Sequence, residues 1–374
     1  MKDPEFENYA PALATVVHVG EGWIRAFVVD AIPALGEALA IVGPHGQRVY
    51  AEVRRHSGHR LVEALLFDAP AWLSPGLPVE RTHRAAAIAL PEACDLVPGA
   101  DTLVPHEPGE NLALAAPRPS FAQLDGQRPP LNTGIEALDL LSPLVQRGTN
   151  LVIDTSTDTA AFDALARCTT AGADHDVALV VTTDGRALGL NARQVRVGQG
   201  AGQHLLALRL AMRWAIALRD RGQNVLFVAE LPPVGSTPTK HTARAEQAVT
   251  VGFGEIVDLV GEALVSTHSA AVTVLLRLSL ADPVGGLAEI IETLELGDID
   301  AQIFVTNDGR FDPRRSHSRA QLPASRATQR SEALAILSLA RKAEERSELF
   351  GDDELEPHEL DALDQAQAWM AGLA

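Results

Sequence analysis

From Thr133 onward, short β-branched or aliphatic runs alternate with helical stretches, and this alternation limits the fold more than any other feature. The runs are Asn150–Ile153, Val177–Thr182, Asn224–Ala229, Ala271–Leu278 and Ala301–Val305. The clearest helical stretch lies between the second and third: Gln203–Arg221, with Leu205, Leu208, Met212, Ala215, Ile216 and Arg219 marking successive turns. Near-continuous apolar strands separated by helices imply a parallel sheet covered on both faces.

The N-terminal part reads differently. Between Thr15 and Val79 apolar residues alternate with polar or small ones at Val17 and Val19, at Ile24, Ala26 and Val28, and at Val49, Ala51 and Val53. Period two marks half-buried strands, and the glycines at 20, 36, 43, 46, 58 and 76 punctuate them. Several short strands at close spacing predict a small barrel or sandwich over residues 1–82. Residues 83–130 carry Pro98, Pro105, Pro108, Pro117, Pro119, Pro129 and Pro130, so an extended connector is expected there, with a strand at Ala85–Leu90. The α/β core should then run over 131–327, and a charged helical tail over 328–374, broken near Gly351 and Pro357.

Composition removes several functions. A net charge of −18 argues against a nucleic-acid backbone as the main partner. Cys94 and Cys168 form neither a disulfide framework nor, by themselves, a structural zinc site. The acidic stretch Met1–Ala10 lacks the apolar core of a signal peptide, and no apolar run is long enough to span a bilayer. Any membrane role is expected to come through partners, with the chain itself cytoplasmic. His56, His59 and His204 lack partners at metal-ligand spacing, so no metal site is expected.

The stretch Asn150-Leu-Val-Ile-Asp-Thr-Ser-Thr-Asp-Thr-Ala-Ala161 reads as a buried strand, a small-residue turn and a helix start. An α/β nucleotidase puts its phosphate loop at such a place. That loop needs glycines for close backbone approach, a lysine for the phosphates and a Ser or Thr for magnesium. This turn has no glycine and no lysine, and Asp154 and Asp158 add negative charge. Two like charges 4 Å apart repel by about 4 kcal/mol at an effective dielectric of about 20. Taken alone, the stretch is an ordinary strand–turn–helix.

Pro130-Leu-Asn-Thr-Gly-Ile-Glu-Ala-Leu-Asp139 and Leu144-Val-Gln-Arg-Gly148 resemble the approach to the phosphate loop in alpha and beta subunits of rotary (F-type) ATP synthases. The family's Gly-Lys-Thr falls, without gaps, on Thr159, Ala160 and Ala161. Trp214–Glu230 resembles the helix and second nucleotide-binding strand, which ends in an aspartate acting on magnesium through water. Glu230 stands there, as a longer acid able to reach a metal or as a solvated strand end. Gly297-Asp-Ile-Asp-Ala-Gln-Ile-Phe304 and Ser316-His-Ser-Arg319 resemble a strand and a Ser-x-Ser-Arg turn whose arginine reaches the neighbouring subunit's site. The resemblance implies that Arg319 is an arginine finger in trans. The plain alternative is a solvated arginine, because Arg314, Arg315, Arg326 and Arg330 crowd the same region.

Glu348-Leu-Phe-Gly-Asp-Asp-Glu-Leu355, followed by Leu360 and Leu363, resembles the alpha-subunit tail, and Leu73–Val79 resembles the last turn and strand of the family's N-terminal barrel. Asp184 falls near the place of the family's catalytic carboxylate or its alpha-subunit glutamine, and it reads as a turn residue in Thr183-Asp-Gly-Arg186.

The resemblance thus implies a small β-barrel, a RecA-like parallel α/β core and a short helical domain. It implies a non-catalytic alpha-like subunit of a proton-translocating ATP synthase or ATPase head. Such a subunit completes the site of a beta-like partner in a hetero-oligomeric ring, with ATP and magnesium binding weak or lost in its own loop. A scaffold or regulatory pseudo-ATPase is the alternative. An active ATPase is disfavoured by Ala160 and Ala161.

Overall fold

The computed structural model describes residues 14–20, 22–58, 60–66, 69–88, 95–96, 102–108, 111–114, 127–182, 192–197, 201–231, 270–280, 299–351 and 355–369. Met1–Ala10, Cys94 and Asp184 lie outside the described residues. The chain divides into two units: the first holds residues 1–117, 181–185 and 194–214, the second the remainder.

The first unit is built on six antiparallel strands: β1 (Ala14–Gly20), β2 (Trp23–Val28), β3 (Glu37–Val42), β4 (Arg48–His56), β5 (Leu61–Leu65) and β6 (Pro78–Ile88). Their order is β1-β2-β5-β4-β3-β6, and β6 returns to β1 through Ala14–Val79 and Thr15–Pro78, which closes a barrel. Period two puts Ile24, Ala26, Val28, Val49, Ala51 and Val53 inside, all essentially unexposed. Val17 departs from the expected pattern. A β-bulge between Val16 and His18 shifts the register, so Val16 packs inward and Val17 is 45% exposed. The β3–β4 connection turns at Gly46, whose φ of +78° suits a residue without Cβ. β6 runs on past residue 82 to Ile88, and its far end pairs with β8 (Leu103–Pro105) and β9 (Leu112–Ala113). β7 (Asp95–Leu96) pairs in parallel with β12 (Arg193–Arg196).

In the second unit the strands run β16-β15-β10-β14-β13-β11. These are β10 (Thr149–Asp154), β11 (Val177–Thr182), β13 (Val225–Glu230), β14 (Val272–Ser279), β15 (Ala301–Val305) and β16 (Phe311–Ser318). β10–β14, β10–β15 and β13–β14 are parallel pairs, and β16 is an antiparallel edge on β15. Every residue of β10 and β13 is buried, as strands covered on both faces require. The helices are α1 (Glu136–Leu141), α2 (Ala160–Gly172), α3 (Ala201–Asp220), α4 (Ala324–Phe350) and α5 (Pro357–Trp369). The division between units falls within β11 and α3.

The second core gathers Val152, Phe162, Leu165, Val180, Leu226, Val228, Leu275, Ile303, Phe311 and Leu337. The tail breaks where expected: α4 ends at Gly351, with φ +90°, and α5 starts on Pro357. α4 itself begins at Ala324, ahead of the tail start read at 328. No helix among the described residues is long and apolar enough to cross a membrane.

Candidate functional site

In an open parallel sheet, ligands lie beyond the carboxyl ends of the strands. Here β10 and β13 deliver Asp154 and Glu230 to that end, on either side of β14. The register places Arg277 of β14 beside Glu230 on one strand and Val152 on the other. Asp154 lies two residues beyond Val152, so it shares that strand face. The guanidinium spans the gap. Nε donates to Asp154 Oδ2 at 2.8 Å, Nη1 to Glu230 Oε1 at 3.0 Å, and Nη2 to the Asp158 carbonyl at 2.6 Å. Its carbon lies 5.9 Å from the centre of the Phe162 ring. Asp154 is fully buried, Glu230 5% exposed and Arg277 6% exposed.

The turn after β10 is organised by the same acid. Ser156 donates to Asp154 Oδ1 through its backbone N–H at 2.9 Å and its hydroxyl at 2.6 Å. Asp158 sits at the other end of the turn, exposed, and its Oδ1 accepts the Ala160 N–H at 3.0 Å, at the start of α2. The side chain therefore takes one of the helix-end donors that a phosphate would use. Thr159 Oγ1 donates to Asp163 Oδ2 at 3.2 Å. Ala160 and Ala161 open α2, and Ala161 is buried at 3% exposure.

Two expectations are corrected. Asp154 does not face a ligand as an open negative charge, because Arg277 neutralises it inside the sheet. Glu230 is neither solvated nor poised toward bulk water, for the same reason. Arg277 was the residue that sequence reasoning passed over. Its signal was one arginine inside the run Val272-Thr-Val-Leu-Leu-Arg-Leu-Ser279.

Magnesium nucleotide, the ligand of the resembled family, does not fit this set of residues. The crevice between the two carboxylates is taken by a guanidinium, the turn contributes no glycine, and its helix-end donor is capped from within the chain.

The Ser316-His-Ser-Arg319 segment is not a turn. Residues 316–318 are the end of β16 and pair with the Gln-Ile-Phe strand, His317 opposite Gln302 and Ser318 opposite Ala301. Ser316 Oγ accepts the Phe304 N–H at 2.9 Å, and the Ser318 hydroxyl donates to the Pro143 carbonyl at 2.5 Å. Arg319 follows the strand and is exposed. Its backbone N–H donates to the Asp300 carbonyl at 2.8 Å, and its guanidinium has no partner among the described residues.

The crowd of arginines around it sorts itself by contacts. Arg314 makes a bidentate pair with Glu344 at 2.6 and 2.7 Å, which raises its pKa. Arg315 lies over Phe304 at 4.3 Å, and Arg330 donates to the carbonyls of Leu141 and Ser318. Burial lowers the pKa of Arg330.

Against solved structures, the chain matches the assembled ATPase EscN from the type III secretion system of enteropathogenic E. coli. The TM-score is 0.70 over 96% of this chain and 94% of that one, at 16% identity. The chain shares the fold of EscN. Among curated proteins it is similar to ATP synthase subunit beta 1 of Paraburkholderia xenovorans (strain LB400), 31% identical over 131 residues. That stretch is 33% of this chain and 26% of the relative. Subunit beta 3 of the same strain is 31% identical over 133 residues, again 26% of its length. The chain thus spans about a quarter of the length of these curated relatives. No family model matches it.

Proposed function

We propose that this chain is a non-catalytic, alpha-like subunit of a rotary ATP synthase or ATPase head, which completes the site of a beta-like catalytic neighbour. The observation that carries the reading is Arg277, bound to both carboxylates at the ligand end of the sheet. An ATPase that kept this arrangement would have nowhere to put a phosphate. The fold is retained while the pocket is closed, as expected where selection acts on assembly and not on turnover. The EscN-like fold and the local likeness to ATP synthase beta subunits support placing the chain in such a head.

In this reading residues 1–82 hold neighbours in a ring, 83–130 connect, 131–327 form the closed core and 328–374 a helical domain. The complex is cytoplasmic and meets the membrane only through other subunits. Arg319 is the residue offered outward. Its exposed guanidinium can form a planar fork toward charge developing in a neighbour's site, a role worth about 10³–10⁵ in rate.

The test is ATP hydrolysis by the complex reconstituted with its beta-like partner. Arg319→Ala should leave assembly intact and lower turnover by about three orders of magnitude or more. Arg319→Lys should rescue poorly, because an ammonium lacks the bidentate fork. Arg326→Ala, a second exposed arginine nearby, is the control. Equal rates for Arg319→Ala and wild type would remove this chain from the chemistry.

A second reading, a scaffold or regulatory pseudo-ATPase outside a rotary synthase, is favoured by one observation. The fold match to a secretion ATPase runs nearly end to end, whereas the ATP synthase match is local. Purifying the native chain with its partners separates the two readings by which subunits come with it.

A further inference from the structure

We propose that Arg277 is a built-in cation, occupying from within the chain the place that a divalent metal would hold between Asp154 and Glu230. The inference does not depend on the chain's place in any assembly. Three oxygens converge on the guanidinium, from the carboxylates of Asp154 and Glu230 and from the Asp158 carbonyl, and the Ser156 hydroxyl braces two of these groups by donating to Asp154 Oδ1 and to the Asp158 carbonyl. An all-oxygen set with two carboxylates is the donor chemistry of a hard divalent cation. Two nearly inaccessible carboxylates at the ends of the strands flanking β14 need a counter-charge, and β14 supplies it as a side chain.

The guanidinium does what a metal would do for the turn. One nitrogen reaches each acid and the third fixes the main chain at Asp158, next to the start of α2. Phe162, on the first turn of that helix, lies close to its face. The turn is therefore ordered without any ligand.

The test uses the full chain, with Mn²⁺ alone as the probe, read by calorimetry and by the thermal midpoint in chelator or in metal. Wild type should show no saturable Mn²⁺ binding. Arg277→Met should lose thermal stability in chelator, bind one Mn²⁺, and recover its midpoint as Mn²⁺ is added. Asp154→Asn/Glu230→Gln/Arg277→Met, with all three charges removed, should fold without metal and bind Mn²⁺ at least about tenfold more weakly than Arg277→Met, since its carboxylate ligands are gone.

Several results would overturn the proposal: a midpoint for Arg277→Met equal to wild type in chelator, no recovery with Mn²⁺, or a triple variant as damaged as the single one. If Arg277→Met is insoluble with and without Mn²⁺ while the triple variant folds, a metal cannot replace the guanidinium and the proposal also fails.

Discussion

Replacing Arg54 of the barrel by methionine should stabilise the protein, although it removes an ion pair. Glu52 is fully buried and faces two arginines. Arg209 holds it with both nitrogens of its fork, Nη2 at 2.9 Å, and Arg54 Nη1 donates to the same Oε1 at 3.1 Å. Both guanidiniums thus converge on the one Glu52 carboxylate. Burial, and then repulsion from Arg209, bring the Arg54 pKa down to about 10 despite the attraction of Glu52. Its Nε is buried without a hydrogen bond.

A basic group with a lowered pKa in the folded state destabilises that state while it is charged. The penalty is complete below pH about 10 and fades as pH rises toward the ordinary arginine value. At about 1.4 kcal/mol per pH unit, the charged form costs the folded protein roughly 3 kcal/mol at neutral pH, discounted for an 18% exposed side chain. That figure is already net of the attraction to Glu52, so Arg54→Met should gain stability, by up to about 3 kcal/mol. Arg209→Met should lose about 3–5 kcal/mol, because it strips the main counter-charge from a buried acid. Urea unfolding at pH 7, followed by tryptophan fluorescence, reads both. An Arg54→Met that unfolds as early as Arg209→Met would refute the assignment of Arg54 as a net cost to the fold.

Acid should unfold the barrel unit first. Burial pushes the carboxyls of Glu52 and Glu37 up, but Arg209 and Arg54 around the first, and Arg81 with the Ala34 and His83 N–H groups around the second, hold both below 4.5. Acids lowered in the folded state contribute stability above their unfolded pKa, about 4.3, and lose it as pH falls through the folded value. Urea midpoints between pH 6 and 3 should therefore fall, and Glu52→Gln should flatten the slope; an unchanged slope counts against the assignment. Gly172→Ala should be severe, since a Cβ there would lie 1.8 Å from the Asn132 carbonyl oxygen. A loss of about 3 kcal/mol or more by urea unfolding is expected, and near-wild-type stability would show that the α2 end can move aside.

The periodicities were enough for the architecture because burial imposes them. β10 and β13 had to be apolar throughout to be covered on both faces, and the barrel strands had to alternate to keep one face wet. What escaped was where a single residue breaks the period. The bulge at Val17 leaves no mark in a run of Val-Val-His-Val, since any of those side chains suits either face. The charge balance of the loop escaped for a different reason. Asp154 looked repulsive because its neighbours in sequence offer no cation. The cation comes from position 277, 123 residues away, through a parallel pairing that no local pattern announces.

Arg277 and Arg319 answer separate questions, and the structure keeps them apart. Arg277 is buried with all three nitrogens engaged, so its work is finished inside the chain. Arg319 is exposed at the end of an edge strand, and its own backbone is fixed by Asp300. Among the crowded arginines, 314, 315 and 330 are already committed to Glu344, Phe304 and two carbonyls. A chain that had lost only its catalysis would be free to lose the outward arginine as well. The exposed guanidinium of Arg319 is therefore what the proposed role toward a neighbour would use, and the reconstituted complex is where that proposal is decided.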